Sequence, residues 1–186
     1  MALNATIYKA ALQVTDMDRH YYQDHALTIA RHPSETDERM MVRVLAFVRH
    51  AHEALSFGKG LDAAADEPDL WQKDLTGAID LWIDVGQPDE KNVRQACGRA
   101  KQVVIYTYGG HKAGRWWEQN RAGLERAKNL TVISVPPDTT LALAALAQRD
   151  MELHCTVQDG QMMISDGEKS VEVAMTTLKS AQAHVR

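Results

Sequence analysis

Apolar and polar side chains alternate most cleanly over Ala78–Pro88, AIDLWIDVGQP. Successive side chains of a strand point to opposite faces, so one face carries the aliphatic residues Ile79, Leu81, Ile83 and Val85. The other face carries Asp80, Trp82 and Asp84. A strand with so many aliphatic side chains is expected to be buried, and a carboxylate on a covered strand costs free energy unless a cation pairs with it. The pattern therefore indicates a metal or catalytic site on this strand.

Similar patterns predict strands and helices along the rest of the chain. The predicted strands are Ala5–Val14, roughly Tyr21–Ala30, Leu55–Leu61, VVIYTY at 103–108 and LTVISV at 130–135. The predicted helices begin at Pro33-Ser34, run from Pro88 to about Ala100, cover about Ala113–Lys128, and extend from Pro136-Pro137 through Gln148. We expect DEPDLWQKD, at 66–74, to be a loop with a helical turn. After residue 78 the order strand, helix, strand, helix, strand implies right-handed crossovers and parallel pairing.

The end of the chain has a different pattern. Three short apolar segments, Leu153–Val157, Gln161–Ser165 and Val171–Met175, are separated by Asp159-Gly160 and Asp166-Gly167. Asp-Gly pairs favour the tight turns of β-hairpins. The segment is therefore predicted to be an antiparallel meander.

The first long helix is predicted to have one inward-facing stripe. Its members are Met41, Val44, Leu45, Val48 and His52, and one turn further back the stripe reaches Glu38. Ser34 or Thr36 can serve as the N-cap, and the acidic residues that follow suit the positive end of the helix dipole. The stripe thus places an acidic side chain on the inward face of the helix.

Composition restricts the class of protein. The 186 residues, 45% hydrophobic and 25% charged, are typical of one ordinary globular domain without a membrane span or a signal peptide. Cys97 and Cys155 have no metal-binding spacing, which favours reduced thiols and a cytoplasmic location. A formal net charge of −4 argues against strong non-specific binding of nucleic acid, although it is compatible with a local basic groove.

Three carboxylates are candidates for a metal site. A metal-dependent phosphodiesterase needs two or three carboxylates around Mg²⁺ and a basic group beside the attacking water. Asp80 and Asp84 share a face, but four strand residues span about 13 Å, so either a bulge bends the strand or only one of them binds the ion directly. Glu38 supplies a third carboxylate if its helix packs against this strand. The alternative is that both aspartates form structural ion pairs with Arg or Lys.

A basic group for such a site is not found where metal nucleases usually have one. The (D/E)-x-K pattern would place a lysine at position 86, where this chain has Gly86. Lys91 and Arg94, in the first turns of the following helix, are the nearest basic residues, and either can replace that lysine. The alternative is that both belong to a solvated helix face.

A second candidate site follows the Gly109-Gly110 turn. The turn lies between a predicted strand and a predicted helix, where phosphates often bind, although GGHKAGRWW matches neither GxGxxG nor a Walker loop. A basic and aromatic cluster of the kind that contacts nucleic acid follows it: His111, Lys112, Arg115, Trp116 and Trp117. The alternative is that the turn binds no ligand and that the cluster only packs against the core and forms a solvated edge. No HExxH motif or His/Cys cluster indicates zinc.

Several segments resemble the bacterial YaeQ family. The strongest are ARHPSETDERMM (30–41) and IDLWIDVGQPDEK (79–91), and the opening ALNATIYKA, the DEP at 66–68 and WWEQN at 116–120 agree. The resemblance implies a single YaeQ-like domain over residues 1–186. It also implies an α/β fold with a mixed central sheet flanked by helices. That fold is a variant of the PD-(D/E)XK, restriction endonuclease-like core, with added antiparallel strands at both termini.

The resemblance implies site residues as well. By analogy the helix acid is Glu38, or else Glu35, and the strand acids are Asp80 and Asp84, with Mg²⁺ as the cofactor and nucleic acid as the partner. Gly86 departs from the lysine of that superfamily, which leaves catalysis dependent on a basic residue of the next helix.

Three functions are therefore candidates. The first is a metal-dependent nuclease in which the acids hold Mg²⁺ and Lys91 or Arg94 stabilises the developing charge. The second is a non-catalytic regulatory or nucleic-acid- or protein-binding protein that retains the nuclease fold, since some family members have been linked to transcription regulation. The third is a nucleotide-binding protein that uses the Gly109-Gly110 turn.

Overall fold

The computed structural model describes residues 4–59 and 67–183 and contains two compact units. Its elements are, in chain order, β1 (Thr6–Asp16), β2 (Tyr21–Arg31), α1 (Asp37–Arg49), β3 (Leu55–Phe57), β4 (Leu70–Lys73), β5 (Ile79–Val85), α2 (Glu90–Arg99), β6 (Ala100–Tyr108), α3 (His111–Leu124), β7 (Leu130–Val135), α4 (Pro137–Ala144), β8 (Asp150–Gln158), β9 (Gln161–Ser165), β10 (Ser170–Val173) and β11 (Thr176–Lys179). The first unit comprises residues 4–51 and 138–174, and the second comprises 52–59, 67–137 and 175–183.

The predicted α/β class with mixed sheets is confirmed. Each unit has its own mixed sheet, in the order β10-β9-β8-β1-β2 in the first unit and β11-β7-β6-β5-β4-β3 in the second. The strands near the two termini therefore pair mainly with one another in a separate sheet and do not extend a single central sheet. The relation to the PD-(D/E)XK core and the single domain over residues 1–186 stay predictions.

The first unit confirms the meander at the end of the chain. Strands β8, β9 and β10 pair antiparallel through two tight turns. In the first turn Asp159 has φ 52° and Gly160 has φ 75°, which is the left-handed pair that a type I′ hairpin requires. The sequence did not predict that β8 also pairs parallel with β1, or that β11 joins the sheet of the second unit.

Helix α1 begins one turn later than predicted. Thr36 is the N-cap, and its Oγ1 accepts a hydrogen bond of 3.1 Å from the backbone N–H of Arg39. The predicted stripe is wrong at His52, which lies beyond the end of the helix and is exposed. All nine residues of Met40–Val48 are buried, so the helix is enclosed on every side rather than amphipathic.

The second unit confirms the parallel order predicted from the central pattern. Strand β6 pairs parallel with both β5 and β7, and β4 pairs antiparallel with β5. The predicted loop over residues 66–74 is wrong from Leu70 onwards, because Leu70 is fully buried and pairs with Ile83 as the first residue of β4. Residue 61, the predicted end of the third strand, lies outside the described residues, as does residue 66.

Both faces of β5 are covered. Ile83 is fully buried on one face, and on the other face Trp82 packs with Val93 of α2 and Trp116 of α3. Asp84 lies on the face of Trp82, whose indole bonds its carboxylate, and both Asp80 and Asp84 are half-buried. The pairing of β5 with β4 is irregular at Asp80, between the Gln72–Leu81 and Lys73–Ile79 pairs, so the sharing of one face by the two aspartates stays a prediction. None of the helices in the described ranges is long and apolar enough to span a membrane.

Candidate functional site

The candidate site lies where the parallel strands β5 and β6 of the second unit end. Helices α2 and α3 begin shortly after these two strands, so loops, strand ends and helix starts lie at one edge of the sheet. In open α/β sheets, ligands bind at this carboxyl edge. Asp84 is the last acidic residue of β5, one residue before the strand ends.

Asp84 is held by a neighbour on its own strand. Its Oδ2 accepts a hydrogen bond of 2.9 Å from the indole Nε1 of Trp82. The two side chains lie on the same face because they are two residues apart in a strand. A buried indole ring thus orients the carboxylate at the end of the sheet.

Asp80 lies at the opposite end of β5 and is engaged in an ion pair. Lys101 Nζ lies 2.6 Å from Asp80 Oδ1. The carboxylate accepts a hydrogen bond from Lys101, and together with the attraction of its charge this raises the pKa of the lysine. This arrangement corresponds to the structural alternative considered for Asp80, and a metal-binding role for it stays a prediction.

Glu38 belongs to the first unit, whereas Asp80 and Asp84 belong to the second. Its Oε2 accepts a hydrogen bond of 2.9 Å from the hydroxyl of Thr140. A shared site for these three acids stays a prediction. Within residues 4–59 and 67–183, no group of three or more His, Cys, Asp or Glu side chains is arranged to hold a metal ion.

The other predicted residues have local partners or are exposed. Lys91 and Arg94 are both exposed on α2, and Arg94 forms an ion pair with Glu90, one turn earlier. Their predicted catalytic role is not tested by these contacts. Glu35, the second choice for the helix acid, is buried and forms ion pairs with Arg39 and Arg43.

Gly86 has a conformation that explains why no lysine stands there. Its φ is 112°, in the region that L side chains rarely adopt. Its N–H donates to the carbonyl of Tyr106 at 2.9 Å and extends the β5–β6 pairing by one residue. A lysine at this position would be strained whatever space surrounds it.

Sequence reasoning missed Asp69, a buried acid that directly precedes β4. Asp69 is 8% exposed, and its Oδ2 accepts a hydrogen bond of 2.8 Å from the backbone N–H of Val85. Leu70 pairs with Ile83 at the end of the β4–β5 ladder, so Asp69 directly precedes Leu70 and Asp84 directly follows Ile83. Both acids therefore lie next to the last pair of these two strands.

One signal in the sequence could have identified Asp69. Pro68 and Asp69 directly precede the apolar pair Leu70-Trp71, and a proline is common at the start of a strand. Because the segment was predicted to be a loop, strand β4 was not identified, and neither was Asp69, which precedes it. Only the pairing of β4 with β5 shows that Asp69 lies beside the end of β5, where it bonds Val85.

Gln87 fixes the turn that follows β5. Its Nε2 donates to Thr107 Oγ1 at 3.0 Å and to the carbonyl of Tyr108 at 2.5 Å. Thr107 is fully buried at the end of β6. These bonds hold the turn after Asp84 against the neighbouring strand.

The basic cluster of α3 lines a groove next to Gln87. We call this the α3 groove: a cavity of about 350 Å³ formed by Gln87, Lys112, Arg115, Trp116 and Gln119. A second cavity, of about 530 Å³, shares Arg115 with it and is formed by Gly110, His111, Gly114, Arg115, Glu118 and Pro137. Gly109 and Gly110, with φ 106° and 59°, form the turn that leads into the helix.

The two tryptophans of the cluster differ in burial. Trp116 is buried, and its Nε1 donates to the carbonyl of Pro88 at 2.8 Å. Trp117 is only partly buried and packs at the edge of the same core. The indole of Trp116 therefore ties the start of α3 to the loop before α2 and forms one wall of the α3 groove.

Comparison with known proteins identifies relatives over nearly the whole chain. The YaeQ protein family matches residues 1–175. The uncharacterised protein YaeQ of Escherichia coli (strain K12) is 44% identical over 176 residues, which cover 95% of this chain and 97% of that protein. The crystal structure of the YaeQ protein from Xanthomonas axonopodis pv. citri matches with a TM-score of 0.91 at 47% identity, covering 95% of this chain and 99% of the other. The crystal structure of the YaeQ protein from Pseudomonas syringae matches with a TM-score of 0.90 at 35% identity. This match covers 96% of this chain and 98% of the other.

Proposed function

This chain belongs to the YaeQ family, and we propose that it is a metal-dependent phosphodiesterase that acts on nucleic acid. The observation that carries the proposal is that Asp69 and Asp84 both adjoin the last β4–β5 pair, with the Asp69 carboxylate bonded to the N–H of Val85, the residue after Asp84. Carboxylates at adjoining strand ends repel each other, and a bound divalent cation would offset that repulsion.

The donor atoms of this pair suit Mg²⁺. Mg²⁺ is bound through oxygen, commonly by only one or two protein carboxylates, and it keeps several waters. Asp80 is about 13 Å further along the strand, so Asp69 is the better second ligand for an ion at Asp84. When bound, the ion polarises the scissile phosphate and lowers the pKa of a coordinated water.

The protein fixes both carboxylates before any ligand arrives. Val85 N–H holds Asp69, and the indole of Trp82 holds Asp84. Groups that are already oriented need no reorganisation during the reaction. This preorganisation is the usual source of electrostatic catalysis. The buried position of Asp69 also strengthens its attraction for a cation, because charges interact more strongly away from water.

The basic group that accompanies these acids is proposed to come from α3. Lys112 and Arg115 line the α3 groove together with Gln87, which follows Asp84 by three residues. Both side chains are exposed and can reach an anionic ligand. They would hold the phosphate group and offset its charge, the role that the sequence suggested for Lys91 or Arg94.

Heat denaturation with and without Mn²⁺ or Mg²⁺ tests the metal site. At an ion concentration about 100 times Kd, we expect the melting temperature of the wild type to rise by about 5 °C or more. Asp69→Asn and Asp84→Asn should each abolish the rise, whereas the exposed control Asp24→Asn should retain it. A wild-type protein that shows no rise with either ion refutes the metal site.

A cleavage assay tests the reaction. Labelled DNA and RNA strands are incubated with the protein and Mn²⁺, and Asp84→Asn serves as the inactive reference. Metal-dependent shortening by the wild type alone supports a nuclease.

A non-catalytic, nucleic-acid-binding function is the second candidate. It is favoured by Gly86, whose backbone conformation excludes the usual lysine beside the acids. A metal-induced rise in melting temperature without cleavage of either strand would support this second function over the first.

A further inference from the structure

We propose that the α3 groove binds the phosphodiester backbone of a nucleic-acid strand through Lys112 and Arg115. This inference deepens the proposed function and rests on it, because it names the residues that would hold the substrate beside Asp69 and Asp84. The groove is nevertheless a binding surface that can be tested apart from the metal site.

The charges of the groove support an anionic ligand. Lys112 and Arg115 are three residues apart in α3, so they lie on the same helix face, and both are exposed. Neither forms an ion pair with any side chain in the described ranges 4–59 and 67–183, unlike Arg94, which pairs with Glu90. Two cations without an acidic partner in a chain of net charge −4 form a local site for an anion.

The length of the groove favours a polymer over a single phosphate. Lys112 and Gln119 are seven residues apart, which is about 10 Å along a helix. The amide of Gln119 adds a neutral hydrogen-bond donor to the groove, whereas the amide nitrogen of Gln87 already bonds Thr107 and Tyr108. Phosphates repeat along a strand, so cations and an amide spread over this distance can contact more than one of them.

The second cavity shares Arg115 with the α3 groove. It includes one acid, Glu118, which disfavours a phosphate there. His111 and Pro137 also form its walls, and a ring and an apolar edge suit a sugar or a base better than an anion. The phosphates are therefore assigned to Lys112 and Arg115, and the neighbouring nucleoside to the second cavity.

Gly114 keeps the second cavity open. Glycine inside a helix is less stable than alanine, yet a Cβ at Gly114 would meet no atom within 4 Å. Packing within the protein therefore does not require a glycine at this position. The missing side chain leaves space beside Arg115 for a ligand to approach.

Fluorescence anisotropy tests the inference with end-labelled 20-nucleotide DNA and RNA strands, in EDTA and between 50 and 200 mM NaCl. The double variant Lys112→Gln/Arg115→Gln should bind at least about tenfold more weakly at low salt. Its salt slope should fall by about 1.4, because each cation that neutralises a phosphate of a single strand contributes about 0.7. The matched control Arg126→Gln/Lys128→Gln removes two cations just beyond the other end of α3 and should bind within about twofold of the wild type.

A pair of glycine variants separates binding from folding. Gly114→Leu fills the second cavity and should weaken binding, while the protein keeps its melting temperature. Gly98→Leu, at another helical glycine whose Cβ would meet nothing within 4 Å, should leave binding unchanged because Gly98 does not line the groove. Equal binding by both glycine variants would overturn the assignment of the second cavity.

The remaining outcomes distinguish this inference from the metal site. Asp69→Asn and Asp84→Asn should still bind the strands in EDTA, and Lys112→Gln/Arg115→Gln should still be stabilised by Mn²⁺. Absence of wild-type binding to DNA and RNA overturns the inference while leaving the metal response measurable. Binding of a mononucleotide as tightly as a 20-mer also overturns the inference. A preference for DNA or RNA identifies which backbone the groove binds.

Discussion

Lys101 and Asp80 form an ion pair at the end of β5 that is remote from Asp84, with 2.6 Å between Nζ and Oδ1. Asp80 is 29% exposed and Lys101 is 66% exposed, so water screens much of their attraction. The ion pair places a lysine beside Asp80, whereas the indole of Trp82 bonds Asp84. Substitution of Asp80 distinguishes the roles proposed for the two strand aspartates.

Asp80→Asn is expected to leave the metal response unchanged. The substitution removes an exposed ion pair, so the free energy of unfolding should fall by no more than about 1 kcal/mol. The rise in melting temperature with Mn²⁺ should match that of the wild type, because Asp69 and Asp84 are intact. Loss of that rise in Asp80→Asn would instead assign the metal to the two acids of β5.

Arg43→Ala is expected to destabilise the protein severely. Arg43 is 2% exposed and pairs with buried Glu35, so truncating it leaves a carboxylate buried without that cation. Breaking a buried pair of this kind costs about 3–5 kcal/mol, measurable by urea denaturation. Arg121→Ala, which breaks the exposed pair with Glu125, is the matched control and should cause little change. A similar effect of both variants would refute the structural role of the buried pair.

Gly86→Ala is expected to strain the turn after β5. An alanine at φ 112° costs about 1–3 kcal/mol because its Cβ disfavours this region. Gly98→Ala, in the last turn of α2, should be neutral or stabilising by up to about 1 kcal/mol, since nothing lies within 4 Å of its Cβ. Thermal denaturation of both variants and of the wild type checks this contrast. A melting temperature of Gly86→Ala equal to that of the wild type would contradict the prediction.

His50 should make the protein less stable in mild acid. Burial lowers the pKa of His50 to about 3, and the positive charges of Arg49 and Arg19 act in the same direction. In the unfolded chain its pKa is about 6.5, so between pH 6.5 and 3 the unfolded state binds the extra proton. The contribution of His50 is therefore fully present above pH 6.5 and is lost progressively as the pH falls.

Urea denaturation at pH 7 and pH 4.5 measures this loss. The wild type should lose more stability between the two pH values than His50→Gln, because glutamine does not titrate. His52→Gln is the control, since His52 is exposed and lies two residues away. An identical pH dependence of the wild type and His50→Gln would contradict the prediction.

Local patterns predicted the elements that depend on local interactions. The strand Leu130–Val135 and the strand Gln161–Ser165 have the predicted bounds, and Thr36 caps α1 as one of two candidates. Apolar runs and capping hydroxyls act within a few residues, so sequence alone is sufficient there. Leu70–Lys73 was predicted incorrectly because a short strand beside turn-forming residues is stabilised by its neighbour β5 and carries little signal of its own.

The sequence by itself determined the α/β class and the parallel order of β5, β6 and β7. Those properties follow from side-chain periodicity along single segments. The tertiary structure decided which acid has which partner. Asp80 meets Lys101 and Asp69 bonds the N–H of Val85 because of pairing between strands, and a register is a relation between segments that no single segment encodes.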